Sequence, residues 1–126
     1  MKIIFPYITI SLFVYAVSAY VYSPKILTPN SKTHWRAGQT YTVVWDPNSA
    51  GITIPDNVTG SIMLGYLENG DQYNEHLNWH LADNFKLISG SQNVTLPNDL
   101  ETKASYIIVL FGDSGNASPP FTIVKR

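Results

Sequence analysis

The sequence predicts an all-β fold: an immunoglobulin/fibronectin III-like β-sandwich of about seven strands, placed after an N-terminal signal peptide. Three observations predict it. Beyond residue 19, no segment of useful length repeats its apolar residues with a helical period. Short runs rich in β-branched and aromatic residues alternate instead with Gly, Pro, Asn and Asp, at the spacing of sandwich strands and turns. The chain also opens on an export signal yet contains no cysteine, so a domain sent to an oxidising compartment must hold together through its core.

The signal occupies residues 1–19. Lys2 supplies its positive start, Ile3 to Val17 its apolar stretch and Val17-Ser18-Ala19 its small-residue cleavage site, so the mature chain is expected to begin at Tyr20. Pro6, Thr9 and Ser11 interrupt the apolar run, which is too short for a bilayer span, and no membrane span is expected in the mature form. Residues 20–126 then make a single domain. With Lys2 removed, seven Lys and Arg face nine Asp and Glu, with no block of like charge. Nucleic acid is excluded as a partner, because neutralising phosphates needs clustered cations. Phe121 to Arg126 shows no pattern for a C-terminal lipid anchor. The expected product is an extracellular monomer, soluble or held in a matrix by contacts.

The strands follow in order. Tyr20 to Leu27 is the first, with Pro24 confining part of it to an edge. Thr40 to Trp45 alternates, with Tyr41, Val43 and Trp45 on one face, and Asp46-Pro47-Asn48 ends it. Gly60 to Leu67 carries Ile62, Leu64 and Tyr66 opposite Met63, Gly65 and Leu67, and Asn69-Gly70 is a strong turn signal. Asp71 to Asn84 is polar and aromatic without clear period; it reads as a long loop, with a short helical turn or an irregular edge strand as alternatives. Phe85 to Ile88, Asn93 to Leu96, Ser105 to Phe111 and Pro120 to Val124 complete the set, with Gly112 to Ser118 as a turn. The Ser105 to Phe111 run is apolar enough for the centre of a sheet. The predicted core is Tyr41, Val43, Trp45, Ile62, Leu64, Val94, Leu96, Tyr106, Ile108, Leu110, Phe121 and Ile123. Leu100 and Tyr106 flank a polar link at the spacing of a tyrosine corner, whose phenol bonds back to upstream backbone; a half-buried strand tyrosine without that bond is the other reading.

Chemistry-bearing motifs are few. Gly112-Asp113-Ser114-Gly115 matches the tetrapeptide around a serine-protease nucleophile, but the chain is about half the required length and no His falls in a strand context that predicts a base. A β-turn explains the same residues. His76 and His80 are four apart near Glu75 and Asp83, which would suit a metal on a helix, yet no helix is indicated and no third ligand is specified. Nine scattered acids give no paired carboxylates. No catalytic residue, metal or cofactor is therefore assigned, and the reading is not an enzyme.

Two groups remain. Asn57-Val58-Thr59, Asn93-Val94-Thr95 and Asn116-Ala117-Ser118 are N-glycosylation sequons, of which Asn116 is the weakest because Pro119 follows directly. In the irregular stretch, Tyr73 and Trp79 stand beside Asn74 and Asn78, an aromatic face flanked by amides that suits stacking on a sugar ring and reading its hydroxyls. Capping the open edge of the sandwich is the competing role for both aromatics.

The ordered combination of Val21-Tyr22-Ser23-Pro24, the run Trp35 to Asp46 (WRAGQTYTVVWD), the run Gly60 to Leu67, and Tyr106 to Pro119 followed by Phe121-Thr122-Ile123 resembles a known family. It is similar to the N-terminal domain of the fungal yeast cell-wall-synthesis (Kre/Knh-like) proteins, many of whose members carry a Ser/Thr-rich, lipid-anchored extension. The resemblance spans nearly all of the predicted mature chain and makes the Gly112 to Gly115 tetrapeptide a family loop. It implies a secreted immunoglobulin-like protein of the fungal cell wall, in some members linked to β-1,6-glucan assembly, and brings no catalytic residues. The function expected is therefore non-catalytic binding of a wall polysaccharide such as β-glucan, or of a wall protein. A secreted interaction protein or effector with a protein partner is the alternative, and a polysaccharide-active enzyme comes last.

Overall fold

The computed structural model describes residues 22–48, 51, 53–112 and 114–126. The signal peptide expected over residues 1–19, and Asp113 of the Gly-Asp-Ser-Gly turn, lie outside the described residues. The strands are β1 (Lys25–Thr28), β2 (His34–Arg36), β3 (Thr40–Asp46), β4 (Thr59–Leu67), β5 (Glu75–Lys86), β6 (Ser91–Thr95), β7 (Lys103–Phe111), β8 (Gly115–Ala117) and β9 (Phe121–Val124). They form two sheets, one in the order β1-β3-β6 and a larger one in the order β2-β9-β7-β4-β5, with β8 paired to β7 beside β9. Every pair is antiparallel except β2 with β9. The predicted all-β, immunoglobulin-like architecture is correct. Among the described residues two three-residue strands, β2 and β8, add to the about seven expected, each held by pairing to a longer neighbour.

The main core fills the space between the sheets. Of the predicted core, all but Tyr41 are buried; Tyr41 is half-buried and stacks on Trp35 with ring centroids 4.6 Å apart. Trp35 in turn meets the edge of Phe121 at 5.0 Å. Trp45 packs against Phe85 from the opposite sheet, and its indole N–H donates to the Leu87 carbonyl at 2.8 Å. That bond ties β3 to the short 3-10 turn Leu87–Ser89, where the chain crosses from the larger sheet to the smaller.

The tyrosine corner is present. Tyr106 is buried, and its hydroxyl donates to the Glu101 carbonyl at 2.6 Å, pinning the link before β7. Burial, and then the nearby Glu101 carboxylate, raise the Tyr106 phenol above its ordinary pKa. A second buried hydroxyl repairs the ladder where β8 gives way to β9. Ser118 accepts the Ile108 N–H at 3.0 Å and donates to the Pro119 carbonyl at 2.9 Å, while its own N–H donates to the Ile108 carbonyl. Pro119 and Pro120 have no N–H to offer the ladder, so the serine supplies the partners that the interrupted edge needs.

The largest departure from expectation is the stretch after Asn69-Gly70. The long-loop reading fails and the irregular edge strand named as an alternative is what forms: β5 is a twelve-residue strand along the edge of the larger sheet. The register runs from Tyr66–His76 to Leu64–Trp79, from Met63–His80 to Ile62–Ala82, and from Ser61–Asp83 to Gly60–Phe85. Each step fits one extra residue into β5, and Asn84, at φ 60°, sits in the third bulge. Every bulge reverses the alternation of faces, so no period survives in the sequence.

Truncating Trp45 to Ala should lower the unfolding free energy by about 3–5 kcal/mol, read from chemical denaturation. Tyr106→Phe should cost about 1 kcal/mol at neutral pH through the lost bond to Glu101. The same variant checks the pKa direction. With the folded-state phenol titrating above the unfolded one, the stabilisation from Tyr106 is complete below pH about 10 and falls as pH rises through the folded value. The stability gap between wild type and Tyr106→Phe should therefore narrow in alkaline denaturation series; a gap that widens would contradict it.

Candidate functional site

The β4–β5 hairpin tip is built by two successive turns. Asn69 at φ 53° and Gly70 at φ 74° are the central residues of a turn closed by the Asp71 N–H donating to the Glu68 carbonyl at 2.9 Å, the arrangement that the Asn-Gly signal specifies. Asp71 then starts the second turn: its carboxylate accepts the Tyr73 N–H at 2.9 Å, and its carbonyl accepts the Asn74 N–H at 2.9 Å. The Glu68 N–H donates to the Asn74 carbonyl at 3.0 Å and closes the hairpin. Tyr73, at the apex of the second turn, is thrown outward and left 87% exposed. A bare tyrosine on a tip fixed by four backbone donors is held in place without being buried.

Below it, where the outer face of the larger sheet meets β1, lies a groove of about 780 Å³ that also reaches Ile26 of the main core. Ile107 alternates with the core-facing Tyr106 and Ile108, and with Leu67 and Val109 it forms a separate buried apolar cluster. Leu67 and Ile107 line the groove; Pro119 and Pro120 form one wall, and Tyr73, Gln72 and Glu75 the other. Lys25 and Asn116 stand on the rim. The cluster is closed on its other side by Leu77, which folds over Gly65: a methyl group at Gly65 would run into Leu77 and the His76 carbonyl. The result is an aliphatic floor, an aromatic lip and a rim with one cation, one carboxylate and two amides.

The structure separates the residues predicted to act together. Tyr73 borders the groove. Trp79 pairs with Leu64 and faces the core side, half-buried against Tyr66 at 6.4 Å and Tyr106 at 6.2 Å. Asn74 and Asn78 are exposed, Asn74 within the second turn and Asn78 on β5. Tyr66 offers no stacking face either. His76 from β5 lies parallel to its ring at 4.9 Å, and the Lys103 ammonium from β7 sits 5.0 Å from its centroid. His76 Nε2 lies 3.3 Å from a Glu68 carboxylate oxygen, close enough for an ion pair but not aligned as a hydrogen bond. His80 pairs with Met63 and His76 with Tyr66, three places apart on β4, so the two imidazoles fall on opposite faces and do not form a ligand pair.

Of the sequons, Asn57 and Asn93 are exposed. Asn116 is half-buried at the groove, its amide donating to the Pro24 carbonyl, and its sequon hydroxyl is the buried Ser118 that repairs the ladder. Ser114 is exposed in the β7–β8 turn, where its carbonyl accepts the Gly112 N–H at 3.1 Å. The groove's floor and proline wall escaped sequence reasoning. The unbroken run Ile107 to Leu110 was the available signal, since a strand apolar on both faces has something to cover on each.

A family model described as Kre9/KNH-like N-terminal Ig-like domain matches residues 28–123. No curated protein and no solved structure matches the chain. The split between the two aromatics is directly measurable. Tyr73→Ala should leave the melting temperature unchanged, its stability effect within about 0.5 kcal/mol. Trp79→Ala should lower stability by more than about 1 kcal/mol through lost contact with the core.

Proposed function

Because the chain belongs to the Kre9/KNH-like family, whose Ig-like domain covers residues 28–123, we propose that it is a secreted, non-catalytic domain of the fungal cell wall that holds a wall glycan in the groove beside Tyr73. The family is associated with fungal cell-wall synthesis, which supports the location. The observation that carries the binding role is the exposed Tyr73 ring at the mouth of an aliphatic-floored groove. Sugar rings present C–H faces to aromatics and hydroxyls to amides and carboxylates, and the groove offers both kinds of partner. The rim charges Lys25 and Glu75 balance, so the site suits a neutral polymer such as β-glucan over a charged one. N-glycans on Asn57 and Asn93 belong to the same reading, while Asn116 is left unmodified with its amide on Pro24.

Retention of the mature protein on insoluble β-glucan and chitin tests this. The wild type should be retained, and Tyr73→Ala, folded as before, should lose about tenfold in affinity, the worth of one stacked ring. A clean flow-through of the wild type would overturn the glycan reading and leave the protein-partner alternative.

A further inference from the structure

The two sides of the sandwich are finished differently. On one side, β2 pairs with β9 and the Asn116 amide joins β8 to the segment leading into β1. On the other side, β5 ends the larger sheet and β6 ends the smaller one, and the turn Leu87–Ser89 joins them. Three bulges already spoil β5 as a template for strand addition. Strand β6 is regular. The Trp45 N–H donates to the Gly90 carbonyl and the Leu96 N–H to the Gln39 carbonyl, which fixes the phase of the β3–β6 ladder. Asn93 and Thr42 are therefore a non-hydrogen-bonded pair, and the backbone N–H and C=O of Asn93 point out of the open edge. The Gln92 side-chain amide already folds onto that carbonyl at 3.1 Å.

Asn93 is also the centre of a sequon, and its side chain is aimed. The Thr42 hydroxyl donates to its Oδ1 at 2.6 Å. With Cβ anchored in the sheet and Oδ1 drawn toward β3, the trigonal carboxamide turns Nδ2, the atom that carries a glycan, toward the open edge. Asn57 flanks the same side. Its neighbour Asp56 pairs with Lys86 at the end of β5 at 2.9 Å, and Val58 accepts the Leu87 N–H at 3.0 Å.

We propose that an N-glycan on Asn93, assisted by one on Asn57, covers the open β5–β6 side and keeps a second copy of this chain from adding to the β6 edge. This rests on the secretion part of the reading above and is independent of the groove. The linkage forms when Nδ2 displaces pyrophosphate-lipid from C1 of a lipid-linked oligosaccharide. A C–N bond replaces the C–O bond, and the Nδ2 proton passes to a base on the transferase.

The test uses the mature chain secreted from a eukaryotic host, with site occupancy read by peptide mass and oligomeric state by light scattering over a concentration series. The glycosylated wild type should stay monomeric. Asn93→Gln and Thr95→Ala, which lose the sequon by different routes, should both self-associate, their polypeptide mass approaching twice the monomer. Asn93→Lys, equally free of glycan but carrying a charge on the edge, should return to the monomer. An occupied Asn93 whose loss leaves the chain monomeric at every concentration would overturn the capping role alone. An unmodified Asn93 in the secreted wild type would overturn both the capping role and the glycoprotein reading beneath it.

Discussion

The Trp45 indole is the contact on which the rest of the domain depends. Immunoglobulin domains of this size commonly join their two sheets with a disulfide, and this chain has no cysteine to do so. Trp45 reaches across from β3 instead, lying against Phe85 and donating to the Leu87 carbonyl. Its energy comes from two sources of different kind: the large apolar area of the ring, and a buried hydrogen bond whose loss would leave a carbonyl without a partner. The second source also fixes position. By holding Leu87, the indole sets where β5 ends and β6 begins.

The groove is a consequence of how the larger sheet is covered. Most of its area faces the main core, but β4 and β7 are apolar on both faces, and the second face is covered piecemeal. Leu77 reaches over Gly65 on one side, and the proline-broken β8–β9 edge stands on the other. The groove lies between these two covers. The Ser118 hydroxyl is part of this economy of cover, since it lets the chain turn away at Pro119 and Pro120 without stranding the Ile108 N–H.

The sequence made legible whatever depended on strict alternation or on local turn chemistry. Val43, Trp45, Val94, Phe121 and Ile123 are inward because their strands keep an unbroken two-residue period, and Tyr106 finds the Glu101 carbonyl because the corner spacing is local. Asn69-Gly70 forms the predicted turn for the same reason. Residues 75–86 were illegible because the bulges are set by pairing with β4, a relation between distant parts of the chain. The site divided along that line. Tyr73 lies in a local turn and its exposure followed from it, whereas Trp79 lies beyond the first bulge, and the face it takes is decided there. Leu67, Ile107 and the two prolines meet only in three dimensions.

The separation of the two apolar clusters has a consequence for how this domain responds to an occupied groove. A guest resting on Leu67 and Ile107 would meet the larger sheet from outside and the hairpin tip from below, and at Ile26, which pairs with Trp45, it would meet the edge of the main core. Binding there would slow amide exchange in β4, β7 and the residue 68–74 turns, and through Ile26 in β1 and its partner β3. An occupied groove would thus tie the hairpin tip of one sheet to an edge strand of the other. A tie of that kind between sheets is a mechanical property as much as a chemical one.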